Sequence, residues 1–237
     1  MRTRRLITQY NSVYLILFII CLAAFINNRN FFAFDNVNTM LRQASSLGVV
    51  TMGTIFVIAT GCVDLSVAAI LQMSIGIFML FVKRLGEGAL PYGILASLAF
   101  GVAIGLVNGI IVTRYKVQSF LSTLFVAAIL GGVMRLVMGV TPMGVPPAVL
   151  VNAIKGSLIG EMSNSVLIFI VVAIIALVLL RKTVWGRKVE LIGLNPTAAH
   201  FAGVDVERTV TITFGLNGLL AAIAGIMSTG YIGFAES

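Results

Sequence analysis

Residues Ala44 to Val82 read ASSLGVVTMGTIFVIATGCVDLSVAAILQMSIGIFMLFV, 39 residues carrying one charge, Asp64, near the middle. As a single helix the stretch would run about 58 Å at about 1.5 Å per residue, whereas the hydrocarbon core of a bilayer is about 30 Å thick. It therefore has to turn back on itself. Gly61, Cys62, Val63 and Asp64 supply the turn: glycine relaxes the backbone, and a carboxylate can accept from the exposed N–H groups that open the next helix. A break of this kind inside apolar sequence is also where function is expected to sit.

The rest of the chain has the same character. Hydrophobic residues make up 59% of the 237 and charged residues 10%, and the mean hydropathy is +1.08, far from the roughly 45–50% and 25% of soluble domains. The composition implies an all-α, polytopic integral membrane protein. Residues 1–237 form one transmembrane domain, with no polar block large enough for a soluble catalytic module. A net charge of +8 would suggest nucleic acid in a soluble chain. Here Lys and Arg gather in the short segments between apolar runs, which points to membrane topology instead and to no nucleic-acid partner. Met1 to Arg5 is basic and is followed by an apolar run to Ile26 without a small-residue cleavage pattern, so the run is expected to stay as a first span. Cys21 and Cys62 lie in apolar runs, where a free thiol packs as a small hydrophobe. Neither a disulfide nor a metal site is expected.

Uncharged windows predict seven crossings, near Leu6–Ile26, Ala44–Thr60, Leu65–Val82, Ala89–Thr113, Val117–Met134, Met162–Leu180 and Val210–Phe234. With a cytoplasmic N-terminus, ten Lys and Arg residues fall inside and six outside, in keeping with the positive-inside bias. A single crossing through Ala44–Val82 would invert everything after it and give seven against nine, so the hairpin reading is preferred. Gly101, Gly105 and Gly109, and Ala221, Gly225, Thr229 and Gly233, repeat every four residues and predict faces where helices pack closely in lipid. Leu136 to Gly160 is apolar but holds Pro142, Pro146 and Pro147 with Gly139 and Gly144. Proline removes a helix donor, so an outward-facing loop with short helical pieces is expected there.

Residues 181–209 form the one long polar segment, on the cytoplasmic side. Asn195 suits a helix N-cap, Pro196 the first helical position, Thr197 to Ala202 nearly two turns and Gly203 the position just past the end. A helix this short is marginal alone in water and is expected to persist by packing on its own bundle or on another protein.

Three stretches resemble the permease subunits of bacterial ABC importers for sugars, the ribose-type branch of the binding-protein-dependent permeases. Thr60-Gly61-Cys62-Val63-Asp64-Leu65-Ser66-Val67-Ala68 is similar to the family's Gly-Gly-Ile-Asp-Leu-Ser-Val-Gly signature, with Cys62 and Ala68 in place of glycines. Asn108-Gly109 followed by Phe120-Leu121-Ser122-Thr123-Leu124 is similar to its Asn-Gly and Pro-Phe-Ile-Ala-Thr-Leu pair, with Ser119 where proline is usual. Gly193 to Val204 is similar to its Gly-x-Asn-Pro-x-Ala-Ala-Arg-x-Ser-Gly-Ile loop, with His200 in place of arginine. The resemblance runs from about residue 40 to the end.

It implies that the short helix is the coupling helix seated on an ATPase subunit, with Asn195, Pro196, Ala199, His200 and Gly203 at the contact. It implies further a multi-pass protein of the bacterial inner membrane that passes a sugar or sugar-like solute. The expected partners are ABC ATPase subunits, a second permease copy or paralogue, a periplasmic solute-binding protein and the lipid bilayer. No G-x-x-x-x-G-K-[ST] loop occurs, so ATP and Mg belong to the partner ATPase, and this chain binds no cofactor and is not itself an enzyme. Asp64 is read as a helix N-cap, a turn residue or part of the solute path. Gln72, Asn108, Gln118 and Thr123 join it as candidate path residues, since sugars need amide and hydroxyl partners, and Ser66 and Phe120, in the matching stretches, are added to them. Family chains continue for several more spans, so a truncated product, a fragment or half of a split permease is expected. The alternatives are a branched-chain amino-acid ABC permease, a non-transporting fragment, and a membrane-embedded enzyme, for which a lone histidine and unpaired carboxylates leave little to build from.

Overall fold

The computed structural model describes residues 2–138, 144–158 and 162–230, with side chains from Tyr14 onward. Among the described residues the α-helices are α1 (Arg2–Asn27), α2 (Phe34–Ala59), α3 (Val67–Leu85), α4 (Leu90–Thr113), α5 (Ser119–Met138), α6 (Ala148–Lys155), α7 (Asn164–Lys182), α8 (Val184–Leu194), α9 (Pro196–Phe201) and α10 (Val206–Thr229). Six of them, α2, α3, α4, α5, α7 and α10, are long and apolar enough to cross a bilayer, and α1 adds the shorter apolar stretch Tyr14–Asn27. The fold is all-helical and polytopic, as the composition predicts.

Contacts divide the chain into residues 1–41 and 42–237. In the first unit, Asn28 ends α1 and caps the single turn Arg29–Phe32 by accepting the Asn30 N–H at 3.0 Å. The Asn36 amide donates to the Phe31 carbonyl at 2.7 Å, fixing the start of α2.

The second unit is built around α10. Of its apolar window 72% is buried, against 17–39% in the other five long helices, so α10 is the axis on which the others pack. Their directions follow from who meets whom. Along α2, the Ser46 hydroxyl bonds the Ala224 carbonyl at 2.8 Å, Gly53 lies against Asn217 and Leu220, and Val57 clusters with Val210 and Phe214. Thus α2 runs opposite to α10. Along α3, Val67 and Ile70 pack on Ala221 and Phe78 and Met79 on Ile226, so α3 runs with α10. The chain therefore reverses between α2 and α3, at residues 60–66, where the hairpin is predicted.

Helix α4 runs antiparallel to α10 at backbone contact. A Cβ placed on Gly101 would lie 2.4 Å from the Gly218 carbonyl oxygen, on Gly105 2.2 Å from that of Phe214, and on Gly218 2.0 Å from that of Gly101. The Gly101-Gly105-Gly109 face is thus a packing face, as its spacing predicts, and such small-residue faces let helices approach without a hydrophobic drive between them. On α10 the residues that answer it are Phe214, Gly215 and Gly218. The predicted face of Ala221 and Gly225 turns toward α3 instead, where a Cβ on Gly225 would lie 2.6 Å from the Leu71 carbonyl oxygen. Gly233 lies outside the described residues.

Gly139, Pro142 and Gly160 also lie outside the described residues, as does Tyr231–Ser237. Within the rest of that proline-rich region, Pro146 and Pro147 lead directly into α6, a short helical piece as expected. Leu150 and Ile154 of α6 are buried against Phe78, Met79 and Ile226. At the opposite end of the bundle, α8 and α9 cover the end of α2. The Phe56 and Trp185 rings stand 5.3 Å apart, so Trp185 packs on the bundle.

Candidate functional site: a helix break held by side-chain hydroxyls

Helix α2 ends where its glycine is. Cys62 N–H reaches the Val57 carbonyl at 3.2 Å and Gly61 N–H that of Ile58 at 2.9 Å, with Gly61 at φ +81°. This is the left-handed glycine closure that satisfies the last carbonyls of a helix. From Cys62 to Ser66 the backbone is not helical, and its N–H groups need partners because no lipid can supply them. Helix α5 provides two: Val63 N–H donates to Ser119 Oγ at 3.1 Å and Leu65 N–H to Thr123 Oγ1 at 3.0 Å. The match is geometric. Alternate N–H groups of extended backbone are spaced by about 6.6 Å, and hydroxyls four residues apart on one helix face by about 6 Å.

Asp64, between these two, faces a different set of donors. Its Oδ1 accepts Ser66 N–H at 2.9 Å and Ser66 Oγ–H at 2.7 Å, and its Oδ2 accepts the Asn217 amide at 2.8 Å. Ser66 Oγ in turn accepts the Asn108 amide at 2.8 Å. Asp64 is 6% exposed, and Ser66, Asn108, Thr123 and Asn217 are fully buried. Asn217 stands midway along the 24-residue α10, so the carboxylate sits at mid-depth of the bundle. The donors recorded for it are neutral. Three such bonds offset part of the cost of burying a carboxyl group among apolar helices.

The predicted residues of this region do not all meet at the break. Asp64 does not cap α3, because that helix begins at Val67 and the carboxylate closes a tight turn onto Ser66 instead. Gln72 is exposed on α3 and lies away from the cluster, and Phe120 is half-exposed on the outer side of α5. Gln118, just before α5, is exposed too. The structure thus brings together Asp64, Ser66, Asn108 and Thr123 and leaves out Gln72, Gln118 and Phe120. Asn217 and Ser119 were not among the path candidates. The signal for Asn217 was present, since it is the only Asn between Val210 and Phe234, and a lone amide in a span seeks a partner across helices. Replacing Ser119 with alanine is expected to remove the Val63 acceptor and cost about 1 kcal/mol, readable as a lower midpoint in a detergent melt while Ser119→Thr stays near wild type.

At the α9 end, Asn195 Oδ1 accepts the Ala198 N–H at 3.0 Å and Pro196 starts the helix. The helix closes as α2 does: Val204 N–H reaches the Ala199 carbonyl at 3.0 Å with Gly203 at φ +81°. Ala199 and Val204 are buried with Val57, Ile192, Val210 and Phe214, and Cys62 packs against that cluster. Ala199 therefore faces the bundle, not outward. The side chains that project are Leu194 and Phe201, 83% and 85% exposed, with Asn195, Pro196, His200 and Gly203 also exposed. A pocket of about 770 Å³ lies between α9, the start of α10 and the break, lined by Thr60, Cys62, Lys116, Thr197, His200 and Glu207 among others. Among the described residues no group of three or more His, Cys, Asp or Glu side chains could hold a metal ion.

A family described as "Branched-chain amino acid transport system / permease component" matches residues 36–237. The chain is 35% identical over 188 residues to the galactofuranose transporter permease protein YtfT of Escherichia coli, covering 79% of this chain and 54% of that protein. It is 30% identical over 210 residues to the ribose import permease protein RbsC of the same organism, covering 87% and 65%. To the D-allose transport system permease protein AlsC it is 27% identical over 230 residues, covering 96% and 69%. The chain thus spans roughly half to two thirds of the length of these relatives. No solved structure matches. With six helices able to cross a bilayer and a match over nearly all of its length, the chain belongs to this family of multi-pass membrane permeases, and the relatives it matches are permeases named for sugars.

Proposed function

We propose that this chain is the membrane-spanning part of an ATP-driven importer that passes a sugar or sugar-like solute across the bacterial plasma membrane. An extracytoplasmic binding protein delivers the solute, a second permease copy or paralogue completes the path, and separate ATPase subunits supply the drive. The N-terminus and α9 lie on the cytoplasmic side, in keeping with the Lys and Arg distribution. The observation that carries this reading is that Cys62, in the break, packs on the buried cluster that also holds Ala199 of α9 and Val204 just after it. An ATPase closing on α9 can act on the membrane only through a rigid element that both sides hold. A helix of six residues gains that rigidity from Ala199 and Val204, while Leu194, His200 and Phe201 remain free for the partner.

The polar groups of the break are now bonded to one another. As the break opens, Asp64, Ser66, Asn108 and Thr123 become available to the hydroxyls of a passing solute, which is alternating access built on a hydrogen-bond exchange. A sugar is favoured over a branched-chain amino acid because the relatives at 27–35% identity are named for galactofuranose, ribose and allose, and because the groups around the break are hydroxyls and amides.

The test uses Gly203, whose φ of +81° disfavours any side chain, at roughly 1–2 kcal/mol for an L-residue. Gly203→Val in the assembled transporter is expected to abolish ATP-linked uptake of labelled ribose, allose or galactofuranose while membrane insertion continues. Unchanged uptake of the sugar that the wild type carries rejects the reading.

A further inference from the structure

Three contacts tie α8 and α9 to the last turn of α2. Ile192 is buried against Val57, and Val204 joins the same cluster with Cys62 packed on it. Between them, Gly193 meets the Ala59 carbonyl so closely that a Cβ on Gly193 would lie 2.0 Å from its oxygen. Ala59 is the final residue of α2, and the left-handed Gly61 follows two residues later. Side chains can absorb a push by changing rotamer, whereas backbone pressed on backbone in a close-packed interior has no such slack. A displacement of the α8–α9 element is therefore imposed on Ala59 and enters the break on the helix side of its glycine.

We propose that the Gly193–Ala59 backbone contact is the joint through which α9 drives the broken element, with Gly193 as its positioning residue. The joint rests on the importer reading above and specifies how the motion is passed on. It requires residue 193 to lack a side chain for a reason unrelated to its own backbone dihedrals: any Cβ would pry the α8–α9 element off α2 while leaving the outward face of α9 intact. The bonds of Asp64 lie beyond Gly61 and run to Ser66 and Asn217. Loss of the joint therefore separates partner engagement from the response of the break.

Cys62 provides a native reporter. It is half-buried, lines the pocket beside α9 and sits one residue past the glycine. In the full transporter, with Cys21→Ser so that Cys62 is the one thiol among residues 1–237, the rate of Cys62 alkylation by a water-soluble maleimide is read on the Cys62 peptide with and without ATP. The wild-type rate is expected to change several-fold with nucleotide. In Gly193→Ala the two rates should converge while ATP hydrolysis continues, and Ile192→Ala, which opens space instead of colliding, should narrow the difference in the same way. If Gly193→Ala does not accumulate, Ile192→Ala alone decides. A wild-type rate indifferent to nucleotide overturns the importer reading itself and the joint with it. A wild type that responds, with variants that respond equally, overturns only the joint. Variants that lose hydrolysis together with the response also overturn it, because the defect then lies in partner engagement.

Discussion

Gly218→Val is expected to dismantle the bundle. The carbonyl of Gly101 already occupies the space that a Cβ at residue 218 would need, at 2.0 Å, and Gly105 lies 3.3 Å away on the same face. The obstacle is backbone, so no rotamer change relieves it, and α4 must separate from α10. Overfilling a packed contact costs about 1–3 kcal/mol when side chains can adjust; here the loss should reach or exceed the top of that range. Because α10 is the axis for α2, α3 and α4, the fault spreads to every contact that defines the fold. Solubilised Gly218→Val should elute as aggregate or melt well below wild type. Gly131→Val is the control, since a Cβ on Gly131 meets nothing within 4 Å and its effect should stay within about 0.5 kcal/mol. Equal melts for the two variants would contradict the packing described.

The second large effect is expected at Asn217. Leucine at this position has the same branching and number of heavy atoms but donates nothing, leaving Asp64 Oδ2 without its 2.8 Å partner in a buried site. Removing one member of a buried pair leaves the other unsatisfied, and for a charged group the penalty is about 3 kcal/mol. Asp64→Leu should cost a comparable amount, because it strips partners from Ser66 and Asn217. The double variant should cost clearly less than the sum, by at least about 1 kcal/mol of coupling. Additive losses would mean that the two residues do not act as a pair. Under the importer reading proposed above, transport should fail in both single variants, since the break loses the bond between Asp64 and Asn217.

The span pattern was legible because a bilayer imposes a length on each apolar run, and each predicted span overlaps an observed helix. The hairpin was legible from one mismatch, 39 residues with a single charge against a core of about 30 Å. The caps of α9 were legible because Asn195, Pro196 and Gly203 act through their own backbone neighbours. Partnerships across the bundle were not. Asp64 and Asn217 are 153 residues apart, and no local spacing tells which amide will meet which carboxylate. The four-residue repeat of Ala221 and Gly225 announced a packing face but not which neighbour it packs on, and α3 took it while Gly215 and Gly218 met α4. Gln72 and Phe120 lie near the polar groups in sequence, yet both are exposed on their helices.

The axial position of α10 has a consequence for how the protein is made. The ribosome emits α2 through α5 long before Asn217, so during synthesis the acidic turn enters the membrane without the amide that will later hold it. Until that helix arrives, the translocon, an insertase or a transient polar neighbour has to shelter the turn. Nascent chains halted before residue 217 should therefore be preferred prey for membrane proteases, and variants at Asp64 should relieve that vulnerability even as they weaken the finished protein.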